Sequence, residues 1–151
     1  MGGRLARAAV AFMLLCWPAA AQSSGVAGAK AFWDLQKKLA EAFDVRFADA
    51  YAADAEIIGI RNYPAPLPPR EMRMTGDAWA KLTRVGMPLA KMRGDVSTYR
   101  DEAFAPAEGN CVKLTATRRS ELKKYDAPHE VIMCPKAGSW VIVREVTVTQ
   151  P

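Results

Sequence analysis

The sequence predicts an α+β domain, with helices first and an antiparallel sheet last. Residues 95–149 form four successive runs in which apolar and polar side chains alternate with period 2, the pattern of half-buried strands. The connections between those runs are short and rich in Pro, Gly and polar residues, which requires neighbouring antiparallel partners in a meander. Residues 30–50 have a different period: Phe32, Leu35, Leu39, Ala42, Phe43, Phe47 and Ala50 follow the i, i+3, i+4 spacing of one helix face. Helices segregated from a largely antiparallel sheet pack against it as a separate layer.

In chain order, residues 1–21 read as a secretory signal peptide. Arg4 and Arg7 precede the apolar run AAVAFMLLCW at 8–17, and Ala19-Ala20-Ala21 before Gln22 fits a cleavage site. The run is shorter than the roughly 20 residues a membrane span needs, so no stable membrane anchor is expected after cleavage. Export to the periplasm or outside the cell follows. The remaining residues, 22–151, suit one domain with one core. Loss of Arg4 and Arg7 lowers the formal charge from +5 to +3, too little to point to nucleic acid.

Residues 23–29 are small and polar and read as a flexible start. The helical pattern follows from Lys30, with Asp44 placed to cap a second short helix over 45–52. Residues 55–61 (AEIIGIR) read as a strand. The Pro-rich stretch 62–69 reads as an edge loop or hairpin arm, with a lid over a pocket as the alternative. Residues 70–74 return beside 57–60. Thr75 or Asp77 caps a helix containing Ala78, Trp79, Leu82 and Val85, which Gly86 and Pro88 end or bend.

The four sheet strands are expected over 95–104, 111–122, 129–134 and 139–148. In the last, Trp140, Ile142, Val146 and Val148 share one face, and Val141, Val143, Glu145 and Thr147 share the other. Both faces are apolar near the middle. Helices can cover one; a second copy of the chain is the economical cover for the other, so a homodimer through Val141 and Val143 is expected. With Cys16 in the signal peptide, Cys111 and Cys134 remain. An even count in an exported chain favours a disulfide, the alternative being two buried thiols. A simple hairpin centred on 123–128 would put Cys111 opposite about residue 138, not 134.

Three stretches then carry a resemblance. Tyr51-Ala52-x-Asp54-Ala55, followed by Ile57 and Ile58, resembles the opening of the nuclear transport factor 2-like superfamily in its SnoaL-like branch. Gly76-Asp77-Ala78-Trp79 resembles the Gly-x-x-Ala start of that family's third helix. Gly138-Ser139-Trp140-Val141-Ile142-Val143 resembles its Gly-x-Trp-x-Ile-Val final strand. The resemblance implies a cone, a strongly curved and mostly antiparallel sheet wrapped around N-terminal helices, with an apolar pocket at its wide end. It also implies a dimer through the outer face of the sheet. Aligned on the steroid isomerases of the superfamily, Asp54 fixes a frame in which Gly59 occupies the place of their general base, and glycine cannot accept a proton.

His129 beside Glu130 could form an acid–base pair, but a single histidine at a strand end is more often a surface residue, and no nucleophile accompanies it. His and Cys are too few for a zinc site, and no Gly-rich phosphate loop opens a helix, so no metal and no cofactor is expected. Arg118, Arg119, Lys123 and Lys124 read as a solvated hairpin tip. Period 2 nevertheless places Arg118 and Arg144 on the helix-covered face, where each must be paired or must hold the carboxylate of a ligand. The pocket residues expected are therefore Tyr51, Ile57, Trp79, Arg118, Trp140 and Arg144. The reading that follows is a module binding a small apolar or amphipathic molecule, or an assembly module, without catalysis. The alternative is an isomerase, dehydratase or polyketide cyclase with a rearranged acid–base site.

Overall fold

The computed structural model describes residues 19–151; the basic start and apolar run of the expected signal peptide lie outside the described residues. Helix α1 spans Ala19–Glu41. Residues 23–29 are thus helical rather than a flexible start. Ala29 is fully buried, and Gly28 lies so close to the Trp140 indole that an added Cβ would stand 2.8 Å from Nε1. That tertiary cover holds the turn helical despite its weak helix-forming composition. The buried line of α1 runs through Ala29, Trp33 and Gln36, with Phe32 on its flank, while Leu35 is 52% exposed. Trp33, at 3% exposure, thus takes the packed face in place of Leu35.

Asp44 caps the next element as expected, accepting from the Arg46 N–H, but the element is a 3-10 helix, Val45–Ala50. Strand β1 then spans Tyr51–Arg61, starting four residues earlier than the apolar run indicates. Strand β2, Arg70–Thr75, returns antiparallel to it, and Ile57 faces Met74. Thr75 caps helix α2, Gly76–Arg93. Neither Gly86 nor Pro88 ends α2; Gly94 does, in the left-handed conformation at φ 62°. Strands β3 (Ser97–Pro106), β4 (Val112–Ser120), β5 (Tyr125–Lys136) and β6 (Ser139–Thr149) complete the chain.

One six-stranded sheet runs in the order β2-β1-β6-β5-β4-β3. Every neighbouring pair is antiparallel except β1 and β6. The meander expected over 95–149 is therefore present, and β6 brings its end back beside the first strand. Register shifts in the β1/β6, β3/β4 and β5/β6 ladders bend the sheet, which stays open with β2 and β3 as edges. Its concave face packs on α1, α2 and the 3-10 helix. The core there is Trp33, Tyr51, Ile57, Val112, Leu114, Val131, Met133 and Ile142.

The shift in the β5/β6 ladder has the largest effect on function. Ile132 pairs with Arg144 but Met133 pairs with Ile142, so Val143 is an extra residue in β6. Before it, Ile142 points inward with Met133. After it, the alternation is inverted: Glu145 and Thr147 face inward beside Val131 and His129, while Arg144, Val146 and Val148 face outward. The expected single row Trp140, Ile142, Val146, Val148 is split by this bulge.

The disulfide forms between Cys111 and Cys134. The β4/β5 turn is tighter than the sequence indicates. Ser120 pairs with Tyr125, and Pro128, expected in the loop, lies inside β5 opposite Thr117. Lys124 closes the turn by donating its N–H to Ser120 O at 2.8 Å. With Val112 opposite Met133, Cys111 falls across from Cys134. A loop of this length stabilises a fold by about 3 kcal/mol in the chain-entropy description.

Candidate functional site

Between α1, α2 and the concave face of the sheet lies a cavity of about 410 Å³, within the range of small-molecule sites. Its walls are Phe43 and Phe47 from the α1 end and the 3-10 helix, Trp79, Thr83 and Met87 from α2, and Tyr51, Tyr99, Arg118, His129, Glu145 and Thr147 from the sheet. A second cavity of about 250 Å³ lies between β1, β2 and Trp79 and shares Glu145 and Thr147 with the first. The aromatic wall is ordered by edge-to-face contacts, Phe47 on Tyr51 at 5.9 Å and Tyr51 on Trp79 at 6.4 Å.

A buried polar cluster sits on the sheet side of the larger cavity. The Tyr51 hydroxyl donates to Glu145 Oε2 at 2.6 Å, and the Thr147 hydroxyl donates to Glu145 Oε1 at 3.0 Å. Thr147 Oγ1 also lies 3.2 Å from His129 Nδ1. A hydroxyl has one proton; once it is given to Glu145, the oxygen accepts from Nδ1–H, and the lone pair of the imidazole is at Nε2. His129 Nε2 is buried, has no hydrogen-bond partner, and stands 3.8 Å from Glu145 Oε1. The ring is packed between Trp33 and Tyr99, at 5.8 and 5.1 Å between centroids.

Burial sets the protonation of these groups. It pushes the His129 pKa down; the Arg118 charge lowers it further, and the Glu145 carboxylate opposes both. Burial followed by the Glu145 charge pushes the Tyr51 and Tyr99 phenols up. At neutral pH the cavity therefore holds a neutral imidazole and two protonated phenols. A neutral imidazole with a free Nε2 can take a proton, and the carboxylate 3.8 Å away would stabilise the imidazolium so formed.

No protein-family model and no curated protein sequence matches the chain at a significant level. Solved structures do match. A nuclear transport factor 2-like protein of unknown function from Pseudomonas putida KT2440 superposes with a TM-score of 0.61 at 11% identity, covering 82% of this chain and 85% of that one. A second, from Shewanella oneidensis MR-1, gives a TM-score of 0.59 at 10% identity over 82% and 98%. The yeast UBP3-associated protein BRE5 gives 0.59 at 15% identity over 79% and 91%. The chain has the nuclear transport factor 2-like fold. At these identities the likeness concerns the fold alone.

Within this cone, Tyr51, Trp79 and Arg118 line the large cavity, and Ile57 lines the smaller one with Trp79. Trp140 lines neither; it faces α1 at Gly28, at the other end of the core. Arg144 does not point inward. The Val143 bulge turns it to the outer face, where Nε meets Glu56 Oε2 at 3.0 Å and a terminal nitrogen meets Glu130 Oε1 at 2.6 Å. Arg73 on Glu56 and Lys113 on Glu130 extend this into a row of five alternating charges across β2, β1, β6, β5 and β4. Arg144→Met is therefore expected to leave ligand binding in the cone unchanged. It should cost about 1 kcal/mol or less of stability by thermal melting, because partly exposed ion pairs contribute little.

His129, expected at the surface, is 3% exposed and inside the cone. Its carboxylate neighbour is Glu145 rather than the adjacent Glu130, whose side chain is on the outer face with Arg144 and Lys113. Glu145 and Thr147 carry no sequence signal of their own, because the bulge places them on the face opposite to the one alternation indicates. Arg118 leaves the expected basic tip and enters the cavity wall, while Arg119 and Lys124 remain at the exposed hairpin with Glu121 and Asp126.

Proposed function

We propose that the chain binds a small, mostly apolar molecule in the cone and moves a proton on it, in the manner of an isomerase, dehydratase or cyclase. The observation that supports this is the buried His129–Glu145 pair in a residue set that lines the cavity, with the buried imidazole Nε2 left without a hydrogen-bond partner. A structural histidine in a dry core normally has both ring nitrogens satisfied. The test is deuterium incorporation from D₂O at carbons next to the carbonyl in a panel of cyclic unsaturated ketones and hydroxyketones, with binding measured in parallel by native mass spectrometry. Binding with exchange is expected. Binding without exchange for any member would leave the second reading, a non-catalytic binding module. That reading is favoured by the mutual satisfaction of Tyr51, Glu145 and Thr147 inside the cluster.

Export and a homodimer belong to the same proposal. The disulfide between Cys111 and Cys134 accords with an oxidising compartment. Ile60, Val146 and Val148 form a half-buried apolar group on the outer face beside the charge row, with Ile58 among them already covered within the chain. Light scattering of the wild type at tens of micromolar should give twice the chain mass; a monomer at that concentration would remove the dimer.

A further inference from the structure

The cavity contains a cation whose described partners are all neutral. Arg118 donates to Ser97 Oγ at 2.9 Å, Tyr125 OH at 3.0 Å and the Val148 carbonyl at 3.0 Å. Its guanidinium also stands 5.7 Å from the Tyr125 ring centroid. Among the described residues no carboxylate lies within 4.0 Å of it, although Asp95 and Glu145 line the same cavity. Its Nε is buried without a hydrogen-bond partner. A half-buried guanidinium held by neutral acceptors keeps its full charge, and the cavity's buried carboxylate, Glu145, is taken up by Tyr51 and Thr147 rather than by Arg118.

We propose that Arg118 is the anion subsite of this cavity and that the ligand carries a carboxylate. The inference rests on reading the cone as a ligand site and adds the chemical class of the molecule. The register also gives its place in the cavity. Ala116 pairs with His129, and Arg118 lies two residues further along the same face of β4. The anion subsite therefore lies on the side of His129 nearer the β4/β5 turn, where the guanidinium meets Ser97, Tyr125 and Val148, with the apolar body against Trp79 and Tyr99. Three bonds already hold the guanidinium plane, so little side-chain entropy is lost when an anion arrives.

The test is a matched pair of probes, naphthalene-2-acetic acid and naphthalene-2-acetamide, titrated into the full protein by calorimetry at neutral pH. The acid is expected to bind the wild type about tenfold to a hundredfold tighter than the amide, the range for a hydrogen bond to a charged group. Arg118→Gln should abolish the preference, and Arg118→Lys should keep part of it. Because Arg118 ties β4 to β3 and β6, the glutamine variant could fail to fold. The wild-type pair and the lysine variant then decide. Equal affinity of acid and amide in the wild type overturns the anion subsite and leaves the proton-transfer reading in place. Preference for the acid, together with binding but no exchange in the ketone panel, supports the subsite and removes proton transfer. Binding of neither probe overturns the assignment of the cone as a site for acids of this size.

Discussion

Gly76→Ala is expected to destabilise the fold by about 3 kcal/mol, the upper end of what overpacking usually costs. A Cβ at position 76 would stand 1.9 Å from the Ala52 carbonyl oxygen and 2.9 Å from Ala55 Cβ. The first neighbour is backbone of β1, buried under α2 and tethered on either side by the Tyr51 and Glu56 pairings to β6, which leaves it little room to turn. Relief requires α2 to move outward as a body, and α2 carries Trp79, Thr83 and Met87 into the cavity wall. The variant should therefore lose both stability and ligand affinity. Gly59→Ala is the control: nothing lies within 4 Å of its Cβ position, so it should stay within about 0.5 kcal/mol of the wild type. Urea midpoints at unchanged slope measure both. Equal midpoints for the two variants would show that the contact at Gly76 relaxes at little cost.

His129→Gln should lower the rate of deuterium exchange in any active ketone by about 10² to 10⁴, the usual contribution of a positioned base. The protein should remain folded, since an amide can keep the bond to Thr147. The pH dependence has a definite sign. Burial lowers the folded pKa of His129 below the ordinary value of about 6.5. The unfolded chain therefore binds more protons in the window just below pH 6.5. The stability contribution of the neutral ring is fully present above that pH and is lost as pH falls toward the lowered folded value. The acid limb of the exchange rate should lie in the same window, with a plateau at neutral pH. His129 is the only histidine in the chain, so its ring signals in a nuclear magnetic resonance titration report this group alone. A ring that titrates at or above 6.5 would contradict the burial on which the assignment rests.

The fold is legible in the sequence because its signals are periodic and local. Alternation marks the meander, the Asp44 and Thr75 caps mark helix starts, and Gly76 belongs to a motif whose physical basis is its contact with Ala52. The site is legible only where it lies upstream of the bulge or on strands of regular register. Tyr51, Trp79 and Arg118 are readable from the sequence; alternation puts Glu145 and Thr147 on the wrong side, and Arg144 in their place. A register shift leaves no mark in composition, because Val143 is as good a strand residue as its neighbours. His129 reads as a surface residue for a related reason. Its partner lies sixteen residues downstream, across a ladder whose phase alternation misreads.

Val143 acts on β6 as an inserted letter acts on a message read in pairs. The residues before and after it are each in a coherent frame, and the frames disagree. One spells a packed core with Ile142, the other a buried polar constellation with Glu145 and Thr147. The strand can thus serve stability in its first half and chemistry in its second, and each half can drift without rewriting the other. Read without the insertion, the same letters would bring a guanidinium into the cone where a carboxylate now stands. The sign of charge facing a bound molecule is set here by a count of residues, not by their identity.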